Sequence, residues 1–249
     1  YIGEAYSAGL VVRELAKSGV RTIITCDCGI SNFDEINLAK ELGMKVVLTD
    51  HHTIGDEIPA ADVVINYKML NVEHPARSIS GCATAYYLVL ALYEYLGKEA
   101  DDYTDLVALS TISDVMPLRG ESRFLFQKGY KKLIDGERLG VRALFKYISS
   151  PVTNADDIGF QIAPRINAVG RMDTARTAVE LFLTEDEKLA DELALKINQF
   201  NTERKNIQNY IYEQAKEQVE TKKLNKKILV LYGEDWHHGI IGIVAGKIC

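Results

Sequence analysis

The sequence has no apolar run approaching the roughly 20 residues that a membrane-spanning helix needs. Nor does it open with the basic, apolar, small-residue succession of a secretory signal. The chain therefore reads as cytoplasmic, with no membrane partner. Cysteine is scarce: four residues cannot make a disulfide framework for a chain of 249. Cys26-Asp27-Cys28 leaves a single residue between its thiols, whereas a zinc or redox pair separates them by two. Apolar neighbours make both cysteines small fillers at a buried strand end. Excess positive charge is also missing, since 29 Lys and Arg against 35 Asp and Glu give −6. That balance excludes a protein coating duplex nucleic acid by charge alone. It leaves room for an enzyme that grips a few phosphates through metals and selected arginines. Repeats and low-complexity segments are absent too. The chain begins at Tyr1 and ends at Cys249 within a helical pattern, so it is expected to be a piece of a longer protein.

What is present is an alternation of helical and strand patterns. Glu4 to Lys17 is amphipathic and closes at Ser18-Gly19. Val20–Cys26 is β-branched and apolar, as in a strand buried on both faces. Ser31, with Asp34 three residues on, is a capping pattern for a helix lined by Phe33, Ile36, Ala39 and Leu42. Lys45–Thr49 and Asp62–Ile65 are further strands. Strand–helix–strand order predicts an α/β fold with a parallel sheet and right-handed crossovers. Helical stretches follow at Gly81–Leu96, Asp101–Ile112, Glu121–Ile134 and Gly140–Ile148. Gln161–Arg171 reads as a loop, being rich in Arg, Asn, Pro and Gly. From Thr174 to Lys222 the pattern is helical again, with one stripe of Leu189, Leu193, Ile197, Phe200, Ile207, Ile211 and Ala215. A fresh strand is expected at Lys227–Leu231, so the long helix suits an inter-domain connector.

The first two clear strands each end in an aspartate, Asp27 and Asp50. In a parallel sheet those ends share one edge, about 4.8 Å apart on neighbouring strands, where open α/β sheets bind ligands. Two carboxylates so placed repel unless a proton or cation lies between them. Asp50 is followed by His51 and His52, and imidazole with carboxylate suits a transition-metal ion. Asp114 stands at the end of a helical stretch before Pro117; by its position it is either a metal ligand or the cap of the next helix.

Asp27-Cys28-Gly29-Ile30 followed by Asp50-His51-His52 resembles two successive signatures of the DHH phosphoesterase superfamily. Within it, the segments TCDCGIS (25–31), LTDHHTIGDEIPAADVVIN (48–66), STISDVMPL (110–118), PRINAVGRMDTA (164–175) and WHHGIIGIVAGKI (236–248) are similar to RecJ-like single-strand-specific exonucleases. The resemblance implies a DHH domain over residues 1–184 with helical additions, a connector helix over 185–224, and the start of a smaller α/β domain at 225–249. It implies two Mn²⁺ or Mg²⁺ ions, with Asp27 bridging them and His51 and Asp114 as ligands. His52 would face the substrate phosphate, and Asp50 would orient His51 from behind. The activity implied is 5′-to-3′ hydrolysis of single-stranded DNA in repair and recombination, with single-strand-binding protein or a helicase as candidate partners. Arg165, Asn167 and Arg171 are the expected phosphate contacts, because an arginine fork matches phosphate oxygens; the other reading pairs Arg171 with Asp173. Trp236, His237 and His238 are expected at the substrate, Trp236 either stacking on a base or plugging the fold. His74, beside Pro75, reads as a surface residue. One departure counts against a self-sufficient site: the superfamily's first Asp-x-Asp-Gly signature does not occur. The segment alone is therefore expected to bind metal weakly and hydrolyse little. Other readings are a DHH hydrolase of short oligonucleotides or cyclic dinucleotides, a pyrophosphatase, and a non-catalytic replication scaffold. The PRINAVGRMDTA stretch and the intact Asp27, His51 and Asp114 favour the exonuclease.

Overall fold

In a computed structural model, residues 8–172, 175–221 and 228–248 are described. Expectations falling on residues 1–7, 173–174 and 222–227, Asp173 and Lys227 among them, lie outside the described residues. The elements in chain order are α1 (Ala8–Lys17), β1 (Thr22–Ile24), α2 (Phe33–Glu41), β2 (Lys45–Thr49), β3 (Val63–Ile65), α3 (Gly81–Tyr95), α4 (Thr104–Ser113), α5 (Gly120–Asp135), α6 (Leu139–Phe145), α7 (Ala155–Asp157), α8 (Ala163–Met172), α9 (Arg176–Leu183), α10 (Glu187–Thr221) and α11 (His238–Ile248). A 3₁₀ turn spans Tyr67–Met69 and a π turn Ile158–Ile162.

The chain divides into two compact units. One holds the described residues up to Arg138 together with Ser150–Ala163; the other holds Leu139–Ser149 and the residues from Pro164 onward. The first unit contains the sheet, in the order β1-β2-β3, all parallel. Thr22 pairs with Lys45, and Thr49 with Ile65. Val46 and Leu48 point into a core shared with Val12, Ile30, Ile36, Ala39 and Met44, so α1 and α2 pack on the sheet. Each such fully buried aliphatic side chain contributes about 1.5–3 kcal/mol. A separate cluster of Ile79, Ala83, Tyr86, Val107 and Leu125 binds α3, α4 and α5 together.

The α/β class and the parallel pairing agree with expectation, while several details differ. β1 is shorter than Val20–Cys26; among the described residues it pairs with β2, and Ile24 is 58 % exposed. Cys26 and Cys28, expected as fillers of a buried strand end, are exposed. The cap of α2 is Asn32, not Ser31, and no side chain caps it. Leu42 drops out of the inner stripe, leaving Ile36 and Ala39.

In the second unit, Pro164–Met172 is helical, not a loop. Pro164 follows directly on the π turn Ile158–Ile162, where the Ala163 N–H donates to Ile158 O, and this shifted hydrogen bonding takes in a residue without an N–H. Ala168 and Val169 are fully buried and supply the apolar face. α6 and α9 pack on α10, so the boundary between the compact units does not coincide with the expected one at 184/185. The helical run from 174 is broken after Leu183, where Asp186 caps the start of α10 by accepting from the N–H groups of Lys188 and Leu189. α10, at 35 residues, is about 50 Å long. Its stripe holds at Leu193, Ile197, Ile211 and Ala215, but Asn201, Arg204 and Gln208 are buried between them. Residues 228–231 form no strand among the described residues; Leu231 instead packs with Ile211, Ala215, Ile240 and Val244.

Candidate metal centre

Both strand-end aspartates continue the parallel ladder beyond the strands. The Asp27 N–H donates to Thr49 O at 3.1 Å, and the Asp50 N–H to Ile65 O at 3.1 Å. This places the two residues side by side at the carboxyl edge of the sheet, where the β-sheet rule puts ligands. Thr25 and Thr49 reinforce the edge, the Thr49 hydroxyl donating to Thr25 O at 2.7 Å and the Thr49 N–H to Thr25 Oγ1 at 3.1 Å.

Asp50 is buried and its carboxylate collects four donors. Oδ2 accepts from the Ile30 N–H at 2.9 Å; Oδ1 accepts from the N–H groups of His51 at 2.7 Å and His52 at 3.1 Å and lies 2.7 Å from His52 Nδ1. Burial works against its ionisation, but these bonds outweigh it and hold the carboxyl below the usual range. The expected support of His51 by Asp50 is thus confined to the His51 backbone; the ring that Asp50 orients is that of His52. Asn66, which sequence reasoning did not single out, is buried, and its Nδ2 donates to His52 O at 3.0 Å. A lone Asn after a strand carries no sequence signal for that task.

His51 is the floor of the site. Its Nε2 lies 3.0 Å from Asp27 Oδ1 and 3.1 Å from Asp114 Oδ2. Neither contact has hydrogen-bond alignment, and Nδ1 is likewise unpartnered. A single imidazole nitrogen can offer one proton at most, so two converging carboxylates exceed what it can satisfy. The proximity of Asp27 raises the His51 pKa, burial opposes the rise, and Asp114 adds to it. A cation among these three groups satisfies all of them. One donor atom each from Asp27, His51 and His52 also fall within 4.8 Å of one another, so His52, expected to face phosphate, borders the same space. The His51 side chain is 9 % exposed, against 55 % for Asp27 and 43 % for Asp114. The donors therefore form a buried base with an open rim.

Backbone strain marks the same place. Among the described residues, the non-glycine residues with positive φ are Asp27 (64°) and Val115 (52°). The first is a site carboxylate and the second follows one. A β-branched residue in this region is an outlier, and such conformations concentrate where function over-determines the backbone. Asp114 is the C-cap residue of α4, and its carboxylate turns to His51; α5 begins with Arg119 as its cap, which disposes of the helix-capping reading of Asp114.

The remaining expected residues belong to the other compact unit. Arg165 is 8 % exposed, with Nε donating to Asn198 Oδ1 at 3.1 Å and Nη2 to Tyr147 O. These contacts engage its guanidinium within the fold, and burial lowers its pKa. Asn167 and Arg171, four residues apart on α8, share an exposed face. Arg171 Nη1 donates to Gly239 O at the start of α11. The alternative partner, Asp173, lies outside the described residues. Trp236 joins the α10–α11 cluster, and its indole N–H donates to Gln214 Oε1 at 2.7 Å. The rings of His237 and His238 are stacked, 4.9 Å apart, and His237 Nδ1 accepts from the Gly239 N–H at 3.2 Å. Among the described residues no helix is long and apolar enough to cross a membrane.

Residues 4–111 match the DHH family, N-terminal domain. The chain is 37 % identical over 238 residues to the single-stranded-DNA-specific exonuclease RecJ of Bacillus subtilis, covering 95 % of this chain and 30 % of that protein. It is 36 % identical over 263 residues to RecJ of Haemophilus influenzae, covering 98 % and 46 %. The chain thus spans less than half the length of these relatives. The crystal structure of Thermus thermophilus RecJ in complex with Mn²⁺ superposes with a TM-score of 0.84 at 32 % identity, over 96 % of this chain and 36 % of that one. The chain thus carries the DHH-family N-terminal domain over residues 4–111 and is RecJ-like in sequence and fold over nearly its whole length.

Proposed function

We propose that the chain carries the hydrolytic core of a metal-dependent exonuclease that removes nucleotides from the 5′ end of single-stranded DNA. The observation that carries this reading is the His51 Nε2 held between Asp27 and Asp114 without hydrogen-bond alignment. Relatives named single-stranded-DNA-specific exonucleases and the Mn²⁺ and Mg²⁺ complexes of RecJ support it. Asp27, His51 and Asp114 would hold divalent metal, with His52 bordering the site. Bound metal supplies an activated water and stabilises charge on the phosphoryl oxygens. The protein's own contribution is placement. His51 and the two carboxylates present a fixed negative pocket. Asp50 holds His52 by its Nδ1, which turns the other ring nitrogen outward; there it donates to a phosphate oxygen when protonated, or shares in holding metal. Asn167 and Arg171 on the exposed face of α8, and His237 and His238 at the start of α11, are the groups we assign to the DNA backbone, as a forked cation suits phosphate. A cytoplasmic role in DNA repair and recombination, beside single-strand-binding protein or a helicase, belongs to the same reading.

The test uses the full-length protein with 5′- and 3′-labelled single strands and Mn²⁺. Asp27→Asn and His51→Ala should each lower the rate by at least about 100-fold, in line with loss of a metal-borne step. Release of mononucleotides from the 5′ end is expected. Degradation confined to di- and trinucleotides, or undiminished rates in both variants, would refute the proposal.

A further inference from the structure

The Asp27 carboxylate occupies space that exists because residue 81 lacks a side chain. Asp27 stands in the left-handed region and its N–H is tied to Thr49, which limits how far its backbone can shift. Gly81 is the first residue of α3 and is buried. A Cβ at Gly81 would lie 2.1 Å from Asp27 Oδ1, 2.5 Å from its Cγ and 2.7 Å from its Cβ. Side-chain Cβ atoms essentially never approach a neighbour closer than 3.0 Å.

Local helix physics offers no reason for glycine here. Gly81 is not among the residues of positive φ, and alanine favours a helix interior by about 1 kcal/mol over glycine. Ser80 already caps the helix, its Oγ accepting from the Ala83 N–H at 3.2 Å. The carboxylate supplies the missing reason. Sitting against the first turn of a 15-residue helix, it also gains from the positive end of the helix dipole.

We propose that Gly81 is a positioning residue for the Asp27 carboxylate, setting where that group can hold metal above His51. This rests on Asp27 being a metal ligand. With a methyl group at position 81, the carboxylate must retreat by about 1 Å, and displacements of that size in a reacting assembly cost about 100-fold in rate.

The experiment is a double-mutant cycle in the full-length protein, combining Gly81→Ala with Asp27→Gly, which removes the clash and suits the positive φ. Thermal unfolding in the presence of chelator gives stability, and calorimetric titration with Mn²⁺ gives affinity. Gly81→Ala alone should lower the melting temperature, bind Mn²⁺ at least about 10-fold more weakly and reduce kcat about 100-fold, with KM for single-stranded DNA little changed. In the Asp27→Gly background the same substitution should cost no stability. A purely structural glycine would instead destabilise both backgrounds equally, and that result overturns the proposal. So does wild-type Mn²⁺ affinity in Gly81→Ala. If Gly81→Ala fails to fold, a folded double variant supports the proposal and an unfolded one overturns it. An Asp27→Asn control separates the two readings. Wild-type Mn²⁺ affinity in that control removes Asp27 as a ligand, and the role of Gly81 with it. Lost affinity in the control beside retained affinity in Gly81→Ala overturns the role of Gly81 alone.

Discussion

Replacing Asp50 by asparagine keeps shape and volume while exchanging one carboxylate oxygen for an amine. Both oxygens are occupied in the native site, Oδ2 by the Ile30 N–H and Oδ1 by the His51 and His52 N–H groups and the His52 ring. Whichever way the amide turns, its NH₂ meets a buried donor. The smaller loss orphans Ile30 alone, at about 1–3 kcal/mol, and lowers three charge-assisted bonds to neutral strength at up to about 1 kcal/mol each. The expected destabilisation is about 3–5 kcal/mol at neutral pH. With a urea slope of about 2–3 kcal/mol per molar for a chain of this size, the midpoint followed by far-UV circular dichroism should fall by about 1–2 M. The deficit has a defined pH dependence. The folded pKa of Asp50 is lowered from 3.8, so its stabilisation is complete above that value and is lost as pH falls through the folded pKa. The difference between wild type and variant should therefore be constant down to about pH 4 and shrink below it. A midpoint within about 0.3 M of wild type at pH 7, or a gap that stays unchanged under acid, would refute this account of Asp50.

Other substitutions test the remaining assignments. Arg165→Met removes a buried guanidinium from Asn198 and Tyr147; a stability loss of about 2–3 kcal/mol is expected in urea titrations, whereas the salt dependence of single-stranded DNA binding should change for Arg171→Ala and not for Arg165→Met. Gly129→Ala would place a methyl group 1.8 Å from Thr104 O where α4 crosses α5, and overpacking there should cost about 3 kcal/mol or more in melting experiments. Trp236→Phe keeps the packing but forfeits the bond to Gln214; a loss of about 1 kcal/mol is expected, and a much larger drop in DNA affinity than in stability would restore the base-stacking role.

The residues that meet at the sheet edge were largely legible because they sit at strand ends, where apolar runs stop abruptly at an acid. Asp27, Asp50 and His51 are of this kind, and the parallel ladder brings them to one edge. Asp114 was ambiguous, since a helix-terminal Asp has two uses; that it turns to His51 Nε2 instead of capping α5 is visible only in the fold. The helical state of α8 was hidden by Pro164, which the preceding π turn accommodates, and by apolar residues whose burial depends on neighbouring helices. Which arginine is buried was hidden for the same reason. Arg165 and Arg171 read alike in one dimension, but six residues place them on different faces of a helix, one buried and one exposed.

By itself the sequence determined the class of fold, the parallel order of its strands and the identity of the acids and histidines that gather at their ends, because these follow from short-range periodicity and residue chemistry. Tertiary structure alone decided that Asp50 serves the His52 ring, that Asn66 holds the backbone behind it, and that Gly81 leaves room for Asp27. Those are contacts between segments 14 to 54 residues apart or choices between adjacent side chains, and no local pattern encodes the distance between groups that meet through folding.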